Sequence, residues 1–488
     1  MKIKLLFLSI FLFLSLYVSR LQLFVDDYLF LYNQPSLTEN FPAFFKNYTI
    51  NFGFHRPIAV LYYYLIFSLY LLSPAIAHLI PLFLQVIAGY LLFQILNKQG
   101  LSTIFSLLAG LIFVTHPFAS EQYMWFSANQ ATLANLIFIL QIYIITSKLN
   151  FKKTSLFVLL LSFASILTYE TTLFFFIPIS FLISTKFNKP FVRTILINFI
   201  PLIFYAFTKI IVKPATPHHF ADNLFSPWTN IPNLTGNLIN TNFGQNYLQN
   251  FWNSYQNSGF RSILSSPVAF ILLAYLITFT IFIFFIQKEK NNHTFNPKIL
   301  QFWILTFLFC LPPLLVNKIF YFGFRTLFLP NITAIISLFF IFQIVLKKNM
   351  TKLIHFICLF LVFSFILINI TISNKYRQLY NQDIKLAKSI AKISTPNSTI
   401  ILKSKNPFSS NDTFVHADHL ISCFFYEWCA PAILNGQPNS IRNIIIQHPN
   451  GSLTLPPNTT YQQLLTQRPL IFLTYKADQT LSIDNIQP

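Results

Sequence analysis

Apolar residues in this chain collect into long unbroken runs, with little of the 3.6-residue or two-residue alternation of a half-buried element. Runs that span a bilayer or nearly so lie at about 4–24, 75–97, 101–116, 131–147, 154–169, 171–185, 192–212, 266–287, 299–317, 327–346 and 353–373. They predict an α-helical polytopic membrane protein of about eleven spans. A further run at 57–72 is joined to the next by Ser73 and Pro74 alone, and hydropathy does not decide whether it crosses. After residue 373 the pattern changes. "NKYRQLYNQDIKLAKSIAKI" at 374–393 has helical periodicity, while "STIILKS" and "PLIFLTYKA" read as buried strands between Asn- and Pro-rich loops. The expected organisation is a membrane domain over 1–373 and a small extracytoplasmic α/β domain over 374–488.

Charge orients these elements. The 488 residues include 33 Lys and Arg against 13 Asp and Glu, a net charge of +20, yet only 9% are charged, where a soluble domain has about a quarter. The bases fall in short clusters between apolar runs: "KLNFKK" at 148–153, "KFNKPFVR" at 186–193, "QKEKNNHTFNPK" at 287–298 and "KKNMTK" at 347–352. That is the signature of cytoplasmic loops, and it argues for membrane lipid rather than nucleic acid as the partner of the positive charge. If 57–72 crossed, Lys148, Lys152, Lys153, Lys186, Lys189, Arg193, Lys347 and Lys348 would all lie outside. The run is therefore expected along the outer interface, with Tyr62, Tyr63, Tyr64 and Tyr70 at headgroup level.

The same assignment puts the N-terminus in the cytoplasm and the segment from about 375 outside. The opening "MKIKLLFLSIFLFLSLYVSR" has the basic start and apolar centre of a signal peptide but no small-x-small cleavage site, so it reads as an uncleaved first span. With 60 Phe and 10 Gly, tight glycine-mediated helix crossings are not expected to dominate. Cys423 and Cys429 in "CFFYEWC" are read equally as a disulfide or as two thiols.

Acids are scarce, and Asp26, Asp27, Glu39, Glu121, Glu170 and Asp222 all fall on the outer side or its boundary. Carboxylates at a membrane mouth are costly and point to function. Adjacent residues do not share a face, so Asp26 and Asp27 are expected to play different roles. "GFHRPIAV" places His55 and Arg56 before a helix-starting proline, where the Arg fork suits a phosphate. "THPFASEQYMWFSANQ" sets Glu121 beside Trp125, Asn129 and Gln130, a combination suited to a sugar's ring face and hydroxyls. "LTYETT" places Glu170 at a turn, and "NKIFYFGFR" places Lys318, Tyr321 and Arg325 at another outer mouth. Lys209, near the outer end of the seventh span, is a weaker candidate. His218 and His219 with Asp222 form a weaker metal candidate still.

In this order, "DDY", "HRP", "HPFASEQYMW", "TYE" and "YFGFR" resemble the GT-C superfamily of polyprenyl-phosphate-sugar-dependent glycosyltransferases. Protein O-mannosyltransferases and lipid A aminoarabinose transferases belong to that superfamily. The resemblance covers about 1–370. It departs where "SANQAT" replaces the Arg-Ala-Asp of the tetratricopeptide-linked enzymes, and no tetratricopeptide repeats follow. It implies inverting transfer of a sugar from a polyprenyl-phosphate donor to an extracytoplasmic glycan, lipid or protein, in a bacterial inner or cell membrane. Asp26 would be the general base, and Asp27 would position the acceptor or hold a divalent metal ion. Glu121 and Glu170 would position the acceptor or hold a divalent metal ion, the only cofactor considered. His55, Arg56, Arg325 and Lys209 would meet the donor phosphate, and Trp125 and Tyr321 the sugar. A lipid-linked glycan flippase or transporter, or a membrane glycan polymerase, is the alternative.

Overall fold

The computed structural model describes residues 2–23, 27, 41–52, 56–211, 297–310, 324–345, 348–394, 398–404, 423–425, 429–435, 443–447, 453–454, 460–467, 469–476 and 480–487. The chain is mostly helical: α1 Lys2–Val18, α2 Phe41–Phe52, α3 Pro57–Leu72, α4 Pro74–Lys98, α5 Thr103–Thr115, α6 Pro117–Met124, α7 Gln130–Thr146 and α8 Phe151–Ile166 come first. They are followed by α9 Phe176–Phe187, α10 Phe191–Ile211, α11 Pro297–Cys310, α12 Phe324–Val345 and α13 Lys348–Ile393. Helices overlap ten of the eleven apolar runs, and the run at 266–287 lies outside the described residues. Among the described residues four helices are long and apolar enough to cross a bilayer, or five if the bent pair α5–α6 counts as one.

Local sequence explains the breaks. His116 precedes Pro117, which disfavours helical backbone at the residue before it. His116 accordingly sits at φ −55°, ψ 132°, and its Nδ1 accepts from the Phe118 amide, so α6 restarts at an angle of 50° to α5. The segment after His116, expected as a loop between spans, is thus a helix buried over its whole length. Between α4 and α5, Gly100 takes φ 91° and the Leu101 amide bonds back to Leu96 O at 3.1 Å, a glycine-terminated helix end. The Gln343 side chain clamps that turn, donating to Gly100 O at 2.9 Å and accepting from the Ser102 amide at 2.6 Å.

Although glycine crossings do not dominate the packing among the described residues, one helix crossing is built on them. Gly89 of α4 faces Gly110 of α5, and a Cβ built on Gly110 would lie 2.7 Å from Gly89 O. The two backbones therefore approach more closely than any side chain permits, as in glycine-packed membrane helices. Phe7 of α1 fills the adjacent space.

Contacts between helices sort the turns into two ends. Trp303 donates to Gln99 Oε1 at 3.0 Å, Lys98 lies over the Tyr143 ring, and Lys186 Nζ donates to Ser147 O. Together with the Gln343 clamp, these contacts gather the basic turns at 98–102, 147–153 and 186–193 at one end of the bundle. At the opposite end are the exit of α1, α3, the 125–130 turn and the 167–170 turn.

The long helix α13 runs through residue 373 without a break and links the bundle to a five-stranded sheet. Its strands are β1 Thr399–Ser404, β2 Asn443–Gln447, β3 Leu453–Thr454, β4 Leu470–Tyr475 and β5 Leu481–Gln487, in the order β3-β2-β1-β4-β5. β1 pairs in parallel with both β2 and β4, and the two outer strands are antiparallel. A short helix, Cys429–Asn435, lies between β1 and β2 in sequence, and another, Tyr461–Leu465, precedes β4. The expected strands at 398–404 and 469–477 are β1 and β4. Cys423 and Cys429 are joined in a disulfide, which resolves the alternative that the sequence left open.

Two apolar cores result. The larger runs through the bundle. The second joins Ala59, Tyr63, Ile66 and Phe67 of α3 to Leu386 and Ile390 of α13, both cysteines, and Ile400, Ile444 and Ile471 of the sheet in one continuous cluster. Helix α3 thus shares its core with the C-terminal domain as well as the bundle.

Candidate functional site

The chain leaves α1 at Val18 through a turn at Ser19 and Arg20, and Leu21 and Leu23 bury as it extends toward Asp27. Asp27 is completely buried, and its Oδ1 accepts from both the Ser127 amide at 3.0 Å and the Ser127 hydroxyl at 2.7 Å. Burial of a carboxylate is tolerable only when such bonds replace water. Tyr63 of α3 grips the same residue from its other side, donating its hydroxyl to Ser127 O at 2.6 Å. Three segments far apart in sequence therefore meet at one serine.

Ser127 lies in the 3-10 turn Phe126–Ala128. The turn is fixed by its neighbours: the Phe126 ring stacks on His78 at 4.1 Å and meets Phe67 and Tyr70 edge-on. With its amide turned to donate, Asn129 reaches the backbone oxygens of Gln122 and Trp125 at 2.6 Å each. Thr132 donates to Gln122 O, and Asn135 donates to the Gln122 side chain, both at 2.7 Å. The amide-rich stretch after the tryptophan is thus spent largely on holding its own fold.

Arg56 caps the start of α3, with its guanidinium 4.9 Å from the centre of the Tyr169 ring. The Ile58 amide also bonds to Leu167 O at 3.3 Å, tying the start of α3 to the turn that carries Glu170. Arg56 is half-buried, a setting in which cation–π attraction to Tyr169 orients the guanidinium.

The expected residues are distributed as follows. Asp27, Arg56, Glu121 and Trp125 are described in full. Glu121 and Trp125 are buried, Trp125 within the bundle core, so neither belongs to an open loop. Glu170 opens the 3-10 segment Glu170–Phe175, Lys209 lies in the last turn of α10 and Arg325 in the first turn of α12, all placed by backbone alone. Asp26, His55, Tyr321 and the His218–His219–Asp222 group lie outside the described residues. Among the described residues no three His, Cys, Asp or Glu side chains gather as a metal site.

Two residues of this assembly escape sequence reading. Ser127 has no signal beyond its place two residues after Trp125. Tyr63, expected at headgroup level, is 1% exposed, because the second core covers its ring and Ser127 takes its hydroxyl. Searches against known protein families, curated proteins and solved structures find no match.

Proposed function

We propose that the protein is an integral membrane glycosyltransferase of GT-C type, moving a sugar from a polyprenyl-phosphate donor to an extracytoplasmic acceptor by single displacement with inversion. The observation that carries this reading is the meeting of the "DDY" segment, the Arg-Pro helix and the post-tryptophan turn through Asp27, Tyr63 and Ser127, with Arg56 on the "TYE" turn. Each segment was singled out from sequence for a separate chemical reason. Their convergence at the end away from the basic turns is what a single outward-facing site requires.

In the proposed mechanism Asp26 takes the proton of the acceptor hydroxyl as it attacks the anomeric carbon. Asp27 is committed to Ser127 and positions its neighbour. Arg56, with Arg325, His55 and Lys209, neutralises the charge that grows on the departing phosphate. Glu121 and Glu170 position the acceptor or hold a divalent ion, and Trp125 and Tyr321 shape the sugar subsite. The topology proposed with this mechanism has eleven spans, a cytoplasmic N-terminus and an extracytoplasmic C-terminal domain, in a bacterial inner or cell membrane. A disulfide in that domain is consistent with an oxidising compartment.

The test is transfer of labelled sugar from a panel of short-chain polyprenyl-phosphate sugars into membrane extract, comparing wild type with Asp26→Asn. The expected result is transfer by wild type and a loss of about 10²–10⁴-fold in the variant, with donor binding retained. No transfer from any donor, with lipid-glycan translocation intact in the variant, would overturn the enzyme reading in favour of a transporter.

A further inference from the structure

The end of the bundle opposite this site carries a second organised cluster, independent of the proposed transfer reaction. Asn188, at φ 51°, turns the chain sharply between α9 and α10. Asn and Gly are the residues that adopt this conformation readily. The turn is held by the Lys189 amide bonding to Ser184 O at 3.1 Å and by the Ser184 hydroxyl bonding to Lys189 O at 2.6 Å. It brings Lys189 Nζ to 6.0 Å and the Arg193 guanidinium to 5.7 Å from the centre of one ring, Phe151. Phe151 meets Phe187 edge-on at 5.6 Å, and Lys186 Nζ lies 4.6 Å from the Phe187 ring.

Three cations thus surround one pair of aromatic rings, and all three are solvent-exposed. None pairs with a carboxylate among the described residues. Like charges gathered this closely repel, and an anion between them would relieve that repulsion.

The adjacent surface specifies what kind of anion. Helices α8 and α10 pack against each other below the cluster, with Phe163 edge-on to Phe204 at 5.5 Å. Their outward faces are apolar: Leu156 and Leu160 of α8 are 55% and 56% exposed, and Leu196 and Ile203 of α10 are 63% and 57% exposed. From Arg193 to Ile203 is about 15 Å along a helix, roughly one leaflet of hydrocarbon. A soluble phosphate would use the cations and leave this apolar strip idle, whereas a phospholipid uses both.

We propose that Lys186, Lys189 and Arg193, set around Phe151 and Phe187, bind the phosphodiester headgroup of an anionic phospholipid whose acyl chains lie along α8 and α10. The test uses the full-length protein in mixed micelles containing either phosphatidylglycerol or phosphatidylcholine of the same chain length. Lipid retention is read by native mass spectrometry and the thermal midpoint by unfolding. Wild type is expected to retain phosphatidylglycerol selectively and to unfold at higher temperature with it. The double variant Lys189→Gln/Arg193→Gln should retain it on the order of tenfold less well, while Arg193→Lys keeps most of the effect.

Lys4→Gln/Lys352→Gln removes the same charge from exposed positions outside the cluster and should match wild type. Equal retention of phosphatidylcholine, equal loss in the control variant, or unchanged retention in the double variant would overturn the site. So would an equal thermal shift from inorganic phosphate alone, which would show that the acyl chains contribute nothing. All the substituted side chains are exposed, so folding is expected to survive, and elution as a single species checks it.

Discussion

At one end of the bundle Lys98, Lys186, Lys189 and Arg193 lie over aromatic rings in short turns. At the other, Asp27 and Glu121 are fully buried and Asp27 is held by two hydrogen bonds. The contrast is one of solvation. An exposed cation with an alkyl stem on a ring keeps its water and costs the fold little, so such residues accumulate wherever orientation favours them. A buried carboxylate gives up its water and persists only where the fold supplies replacement donors. Charge is therefore an address at the basic end, and an instruction about geometry at the acidic one.

The comparison breaks most severely at Asp26, where the proposed base is lost. Next in size is Asp27→Ala, which strips Ser127 of its acceptor and should destabilise the fold by about 3 kcal/mol. Thermal unfolding in detergent measures this loss, and Ser127→Ala should be milder because the backbone amide bond survives. If the two substitutions were equally costly, the amide bond would carry no weight.

Gly110→Ala forces a Cβ against Gly89 O and should cost about 2 kcal/mol, read by the same unfolding assay. It sits within the bundle, between the two ends, so lipid retention at the basic cluster should survive in the folded fraction. Replacing both Cys423 and Cys429 by Ser opens a short loop and should cost about 2 kcal/mol. Because the disulfide shares a core with α3, limited proteolysis of the variant should expose α3 as well as the sheet. A loss confined to the sheet would separate the two.

Tyr63→Phe removes one hydrogen bond to Ser127 and should cost about 1 kcal/mol. The smallest effect concerns pH. Burial, and then the Asp383 charge, push the Tyr475 hydroxyl above its ordinary value. A group whose folded pKa is raised contributes stability that is complete below the unfolded tyrosine value near 10. That contribution is lost as pH rises further, so the sheet should weaken only in strong alkali, and Tyr475→Phe should flatten the profile.

Much of this was legible in one dimension. The positions of most helices follow from apolar runs, and β1 and β4 from short β-branched and aromatic stretches. The basic clusters at 148–153 and 186–193 were expected to share a side, and the Lys186–Ser147 and Arg193–Phe151 contacts join them. The expectation of distinct roles for Asp26 and Asp27 came from adjacency alone; Asp27 accepts from the Ser127 backbone amide, and Asp26 lies outside the described residues. By contrast, the Gly89–Gly110 crossing was invisible, because two glycines 21 positions apart become informative only when two helices are in contact. Ser127 and Tyr63 were missed for the same reason. A serine in a turn and a tyrosine in an apolar helix have many ordinary uses, and only the chain of contacts from Tyr63 through Ser127 to Asp27 marks them out.

Hydropathy and charge thus determined by themselves that this chain belongs in a membrane and which turns group together, since each residue's transfer cost is local and additive. Which carboxylate is anchored, which glycines touch and how α3 is shared between bundle and sheet were decided only by the tertiary structure. These features depend on distances between segments far apart in the chain, which local sequence does not encode.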